Sequence, residues 1–134
     1  MPTLTADPLA AAEQKWTMQK PAAYRCVVEM SGDRVEAGRF EAEVRGDHMV
    51  TLRRNGMVIR PNEDYTMQGL FRTLRQELSL AEKPALLGAG PGYSVYLNAE
   101  FDKNNGRLIR YRRIVGGASN SIEIRVVEFT SIER

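Results

Sequence analysis

Arg107, Arg110, Arg112 and Arg113 fall within seven residues with no acid among them, and Tyr111 stands inside the run. Guanidinium groups at that density suit bidentate contact with carboxylate or phosphate, and neighbouring tyrosines offer a flat face for stacking. Tyr96 and Arg125 lie on flanking segments that read as adjoining strands. Arg107, Arg110, Tyr111, Arg112, Arg125 and Tyr96 therefore form the candidate contact surface for a partner or a small anionic ligand. The simpler reading pairs these arginines across strands with Glu100, Glu123 and Glu128 on an exposed sheet face. Nucleic acid is disfavoured as the partner, because 19 Lys+Arg stand against 17 Asp+Glu and the net charge is only +2.

Other chemistries find less support. Cys26 and His48 are the single cysteine and the single histidine, so a Cys–His pair is the one nucleophilic dyad available. Cys26 alternates with Tyr24 and Val28 on an apolar face, which reads as a buried core thiol, and His48 reads as a solvent-facing residue at a strand start. An enzyme built on the two is the remote alternative. Glu41 with Glu43, and Glu100 with Asp102, sit two apart on polar strand faces, where no cleft raises a carboxyl pKa for acid–base work. Gly88-Ala89-Gly90-Pro91-Gly92 follows a helix and enters a strand, the reverse of a phosphate loop, and Tyr93-Ser94 stands in place of the lysine. Asp102-Lys103-Asn104-Asn105-Gly106 has its glycine at the fifth position, one short of a calcium loop, and reads as a hairpin. No catalytic, cofactor or metal site is expected.

The elements that must carry these residues are legible from periodicity. Thr66 is a good N-cap, with Tyr65 and Leu70 placed as a hydrophobic staple. Met67, Leu70, Phe71, Leu74 and Leu78 then recur at helical spacing, with Arg72, Arg75, Gln76 and Glu77 off that stripe, and Pro84 blocks continuation. Val95, Leu97, Ala99 and Phe101 alternate with Tyr96, Asn98 and Glu100, which predicts a strand over 94–101. Residues 107–114 return with muddier alternation, and Ile122, Ile124 and Val126 mark a last strand. Earlier, Asp7-Pro8 opens a short helix through Ala12, Trp16 and Gln19 that ends before Pro21. Tyr24–Met30, Arg39–Arg45 and His48–Arg53 read as strands, and Asn55-Gly56 as a hairpin turn into Met57–Ile59. The pattern predicts an α+β domain with an antiparallel sheet of about six strands and two helices on one face, in the order α-β-β-β-α-β-β-β. One domain spans 1–134, with 1–6 as a flexible tail and α-β-β-β units at about 7–60 and 65–130 that raise the possibility of a duplication. The two halves carry similar charge, 9 basic and 8 acidic groups over 1–62 against 10 and 9 over 63–134.

Gly69-Leu70-Phe71, the long helix, Ala99-Glu100-Phe101-Asp102, Asn105-Gly106 and the closing Ile124-Arg125-Val126-Val127-Glu128-Phe129 resemble the bacterial domain of unknown function 6174. Trp16 ahead of a tyrosine-led strand at Tyr24 fits the opening of the same family, and the resemblance covers about Trp16 to Phe129. The chain departs from that family in having Cys26 alone where many members carry paired cysteines. It also reads Gly106-Arg107-Leu108 where members often have a proline. The resemblance implies an exported or lipid-anchored bacterial protein, and its motifs are structural rather than catalytic. Residues 1–8 lack the basic start and apolar core of a signal peptide. The expectation is thus a non-enzymatic accessory or binding domain of the cell envelope if an export segment was trimmed, and a cytoplasmic protein otherwise. Its contact surface would be the outer sheet face or an edge strand, and an exposed edge could also pair two copies as a homodimer.

Overall fold

In a computed structural model, residues 1–33, 37–61 and 63–132 are described. Helix α1 (Ala6–Gln19) is followed by strands β1 (Ala23–Gly32), β2 (Gly38–Arg45), β3 (His48–Arg54) and β4 (Met57–Val58). Helix α2 (Met67–Ala81) and a 3₁₀ turn over Pro84–Leu87 then lead to β5 (Val95–Phe101), β6 (Leu108–Val115) and β7 (Ile122–Ser131). The strands form one sheet in the order β4-β3-β2-β1-β7-β6-β5, with every neighbouring pair antiparallel. The architecture is α+β with two helices, and the sheet has seven strands rather than about six. The seventh is β4, the short return that the Asn55-Gly56 turn predicts into Met57–Ile59, where φ angles of 50° and 87° give the left-handed pair that a tight hairpin requires. The two helix-plus-strand runs enter the sheet differently: β1 lies near its centre and β5 at its edge.

Both helices contribute to a single core on one side of the sheet. Leu9, Ala12 and Trp16 from α1 and Met67, Leu70, Phe71 and Leu74 from α2 pack with Tyr24, Cys26, Val28, Phe40, Ala42, Val44, Tyr111 and Ile124. Trp16 meets Tyr24 and Phe129 edge-on, with ring centroids 5.4 and 5.7 Å apart, so helix and sheet lock through aromatic edges.

The start of α2 shows how local chemistry fixes its seat. Thr66 accepts from the Gly69 N–H at 3.0 Å and donates to Asp64 Oδ1 at 2.6 Å, while the Tyr24 hydroxyl accepts from the Met67 N–H at 2.8 Å. Two first-turn donors are thereby satisfied, one by the cap and one by the sheet. A side chain at Gly69 would overlap Asp64, so glycine here is a matter of space. Tyr65 stacks on Phe40 with centroids 4.6 Å apart, which carries the helix entry onto β2.

Residues 1–6, expected as a flexible tail, behave otherwise. Thr3 bridges to Asn98, Leu4 is 4% exposed, and α1 already begins at Ala6. The tail is extended because Leu4 has an apolar seat to fill and β5 has edge groups to pair.

Candidate functional site

Strand β6 divides the arginine run between two faces of the sheet. Tyr111 and Arg113 turn toward the helices, at 0% and 6% exposure, while Arg110 and Arg112 turn outward. A register shift against β5 at Glu100/Phe101 changes the alternation before Arg110, so Leu108 is buried along with Tyr111. Arg107 also lies on the helix side, its guanidinium 5.1 Å from the Phe129 ring centroid. The expected surface of Arg107, Arg110, Tyr111, Arg112, Arg125 and Tyr96 is therefore corrected: Arg107 and Tyr111 leave it, and Arg110, Arg112, Arg125 and Tyr96 remain.

Behind the sheet, Tyr111 and Arg113 belong to a buried polar cluster. The Tyr111 hydroxyl donates to Glu77 Oε1 at 2.7 Å, and Arg113 Nη1 donates to both Glu77 oxygens at 2.9 Å. Arg113 Nε and Nη2 donate to the Asn120 carbonyl at 3.1 and 2.9 Å, and Nη2 also reaches Asn120 Oδ1 at 2.8 Å. Asn120 Nδ2 donates in turn to the Leu87 carbonyl at 2.8 Å. Burial, reinforced by the Glu77 charge, holds the Tyr111 hydroxyl protonated far above the usual tyrosine range. The cluster ties α2, the 3₁₀ turn, β6 and the β6–β7 loop together, and each charge in it is paired. Glu77 was expected off the apolar stripe. Its position, three after Leu74 and seven after Leu70, is the signal that would have placed it inward.

The outward face has two parts. Across β1, β2, β3 and β7, Arg25 pairs with Glu41 at 2.9 Å and Glu128 at 3.6 Å, and Arg39 with Glu29 at 3.2 Å and Glu128 at 3.0 Å. Arg53 reaches Glu41 at 3.6 Å and Arg45 reaches Glu43 at 3.4 Å. Val27, opposite both Glu41 and Glu128 in register, is fully buried in the midst of this ion-pair lattice and stands outside the main core. The Arg25 hydrogen bond holds the Glu41 carboxyl below its ordinary range.

Toward β5 the lattice opens. Arg110 stands directly opposite Arg125, a like-charge cross-strand pair, and is compensated by an ion pair with Glu123. Among the described residues, no carboxylate lies within ion-pair distance of Arg112 or Arg125. Arg112 Nε is covered yet lacks a hydrogen-bond partner. Beside Arg112 are Asn98, and then Tyr96 opposite Ile114, with Tyr96 59% exposed. This corner offers two guanidiniums, an amide and an exposed aromatic ring on a rigid sheet.

The remaining candidates are placed as follows. Cys26 is buried, its thiol donating to the Tyr65 carbonyl at 3.6 Å, and burial pushes its pKa up to about 12. A thiol held in that form is a poor nucleophile. His48 is exposed at the start of β3; Cys26 pairs with Ala42 and Ala42 with Leu52, so the topology does not bring the two together. Glu41 and Glu43 lie in the lattice. Asp102 closes its hairpin by accepting from the Asn104 and Asn105 amides at 2.8 and 3.1 Å, which lowers its pKa. Among the described residues there is no group of three or more His, Cys, Asp or Glu placed to hold a metal, and no helix is long and apolar enough to cross a membrane.

No protein-family model matches the chain, and no curated protein matches it.

Proposed function

We propose that this chain is a binding domain rather than an enzyme, and that it meets its partner with the outward face of the sheet at the β5–β6–β7 corner. The observation that carries this reading is the pairing pattern on that face. Most arginines there are tied to a carboxylate, whereas Arg112 and Arg125 are not, and Tyr96 and Ile114 are exposed beside them. Guanidiniums with unspent donors next to an aromatic ring suit a partner surface that presents carboxylate or phosphate with some apolar area. The resemblance of the α2 and β5–β7 motifs to the exported bacterial family supports the cell envelope as the place to look.

Photo-crosslinking in the natural host tests the surface. A crosslinking residue at Tyr96 is expected to give adducts that Arg112→Glu/Arg125→Glu removes, and one at Arg72 on the exposed side of α2 is expected to give none. Equal adducts at both positions, or adducts indifferent to the charge reversal, would refute the reading. Fractionation with mass spectrometry of the mature N-terminus tests the compartment, with a processed end in the envelope as the expected result.

A further inference from the structure

The edge of β5 is covered over only part of its length, and by this chain's own residues. The Leu4 N–H donates to the Leu97 carbonyl at 2.9 Å, and the Ala99 N–H donates to the Pro2 carbonyl at 3.0 Å. In that register Met1 reaches Glu100, and the chain leaves the edge at Ala6 to enter α1, before Val95 is covered. A cavity of about 400 Å³ lies on one side of this short strap, against Leu78, Ala81, Val95 and Leu97. A second, of about 460 Å³, is lined by Thr3 and Leu4 together with Pro8, Ala99 and Phe101. Of residues 2–5 only Leu4 seats an aliphatic side chain, and because the chain turns into α1 at Ala6 the groove beside Leu78, Ala81 and Val95 stays unfilled.

We propose that the β5 edge is a docking site for an extended segment of a partner protein, which adds antiparallel to β5, displaces residues 1–4 and puts an aliphatic side chain where Leu4 sits. Strand addition takes its affinity from main-chain hydrogen bonds and its specificity from alternate side-chain pockets, and both are present here. A segment running opposite all of Val95–Phe101 has seven residues of edge to pair, where the strap uses two backbone bonds. Residues 2–4 act as a resident competitor, so the apparent affinity of the partner is reduced by the fraction of molecules with the strap open. Glu82, Glu100 and Lys103 border the groove with opposing charge, which fits an uncharged segment with alternating aliphatic and small polar residues. The opposite sheet edge differs: it ends in the two-residue β4 with Pro61 beyond, devices that discourage strand addition.

The test uses a fluorescent ten-residue peptide of alternating threonine and valine with leucine at the register of Leu4. Anisotropy is read with the intact chain, with a variant lacking residues 1–4 and with full-length Leu4→Asp, which carries the test if the shortened chain does not fold. Both variants are expected to bind at least tenfold more tightly than the intact chain. Ala99→Pro in either background is expected to abolish binding, because it removes an edge N–H that a strand-adding peptide needs. Arg112→Glu/Arg125→Glu is expected to leave this binding unchanged, which separates it from the outward-face reading. Folded variants that bind no better than the intact chain would overturn the proposal. So would a shortened chain that sediments as a dimer and ignores the peptide, since the occupant would then be a second copy.

Discussion

The same two residue types do opposite things on the two faces of the sheet. Behind the sheet, Glu77 and Arg113 are each 6% exposed and every donor of the guanidinium is engaged. In front, Arg25, Arg39 and Arg53 share Glu29, Glu41 and Glu128 with a third to a half of each side chain open to water. The buried pair has given up hydration and depends on its partner; the exposed lattice has given up little and is correspondingly replaceable. An arginine is structural where it is enclosed and interchangeable where it is paired in water, and at the β5–β6–β7 corner Arg112 and Arg125 have no carboxylate within ion-pair distance among the described residues.

Mutation sharpens that contrast in decreasing steps. Glu77→Ala leaves Arg113 buried without its counter-charge and is expected to cost about 3–5 kcal/mol in denaturant unfolding. Glu77→Leu combined with Arg113→Met is expected to be much less damaging than the single change; a double variant as unstable as Glu77→Ala would break the comparison. Tyr111→Phe leaves a Glu77 oxygen one donor short and is expected to cost about 1–2 kcal/mol in the same assay. A double-mutant cycle on Arg39 and Glu128 is expected to give a coupling below about 1 kcal/mol that shrinks with added salt. Arg112→Glu/Arg125→Glu is expected to move stability by about 0.5 kcal/mol or less, because the new Glu opposite Glu123 is offset by the new Glu opposite Arg110 on a solvated face.

The smallest effect is in pH. The Glu41 carboxyl is held below its ordinary 4.5 by Arg25, so its contribution is complete above that pH and is lost as pH falls through the depressed value. Arg25→Ala should flatten the stability–pH curve below 4.5 slightly, and an unchanged slope there would show that the pair is inert.

Much of the fold was readable because several local signals agreed at once. Thr66 at the cap, the Leu70–Leu74 stripe and Pro84 beyond the end all pointed to α2, and the strict alternation of 95–101 to β5. The surface was read less well, for a reason confined to one strand. Period-2 alternation puts Arg110 and Arg112 on one face of β6, and the β5 pairing sets Tyr96 opposite Ile114 at the next position along. The register shift opposite Glu100/Phe101 is a backbone event with no composition signal, and it turns Leu108 inward, while Arg107, just before β6, lies on the helix side against Phe129. Tyr111 is near the arginines in sequence, yet it sits one residue from both Arg110 and Arg112 and so points the opposite way. Glu77 is polar by type but inward by angular position, three residues after Leu74, and nothing local reveals that Arg113 waits across the core to receive it.

The topology also sets a timetable. β1 is flanked by β2 and by β7, so the first and last strands are partners at the middle of the sheet. A ribosome makes residues 23–32 long before residues 122–131, and until the later segment emerges one side of β1 has nothing to pair with. The nascent chain thus carries an open central strand through most of its synthesis, a state that invites pairing with the wrong neighbour. Completion is a single late event with long sequence separation, which favours slow, all-or-none acquisition of structure over stepwise growth from the N-terminal end.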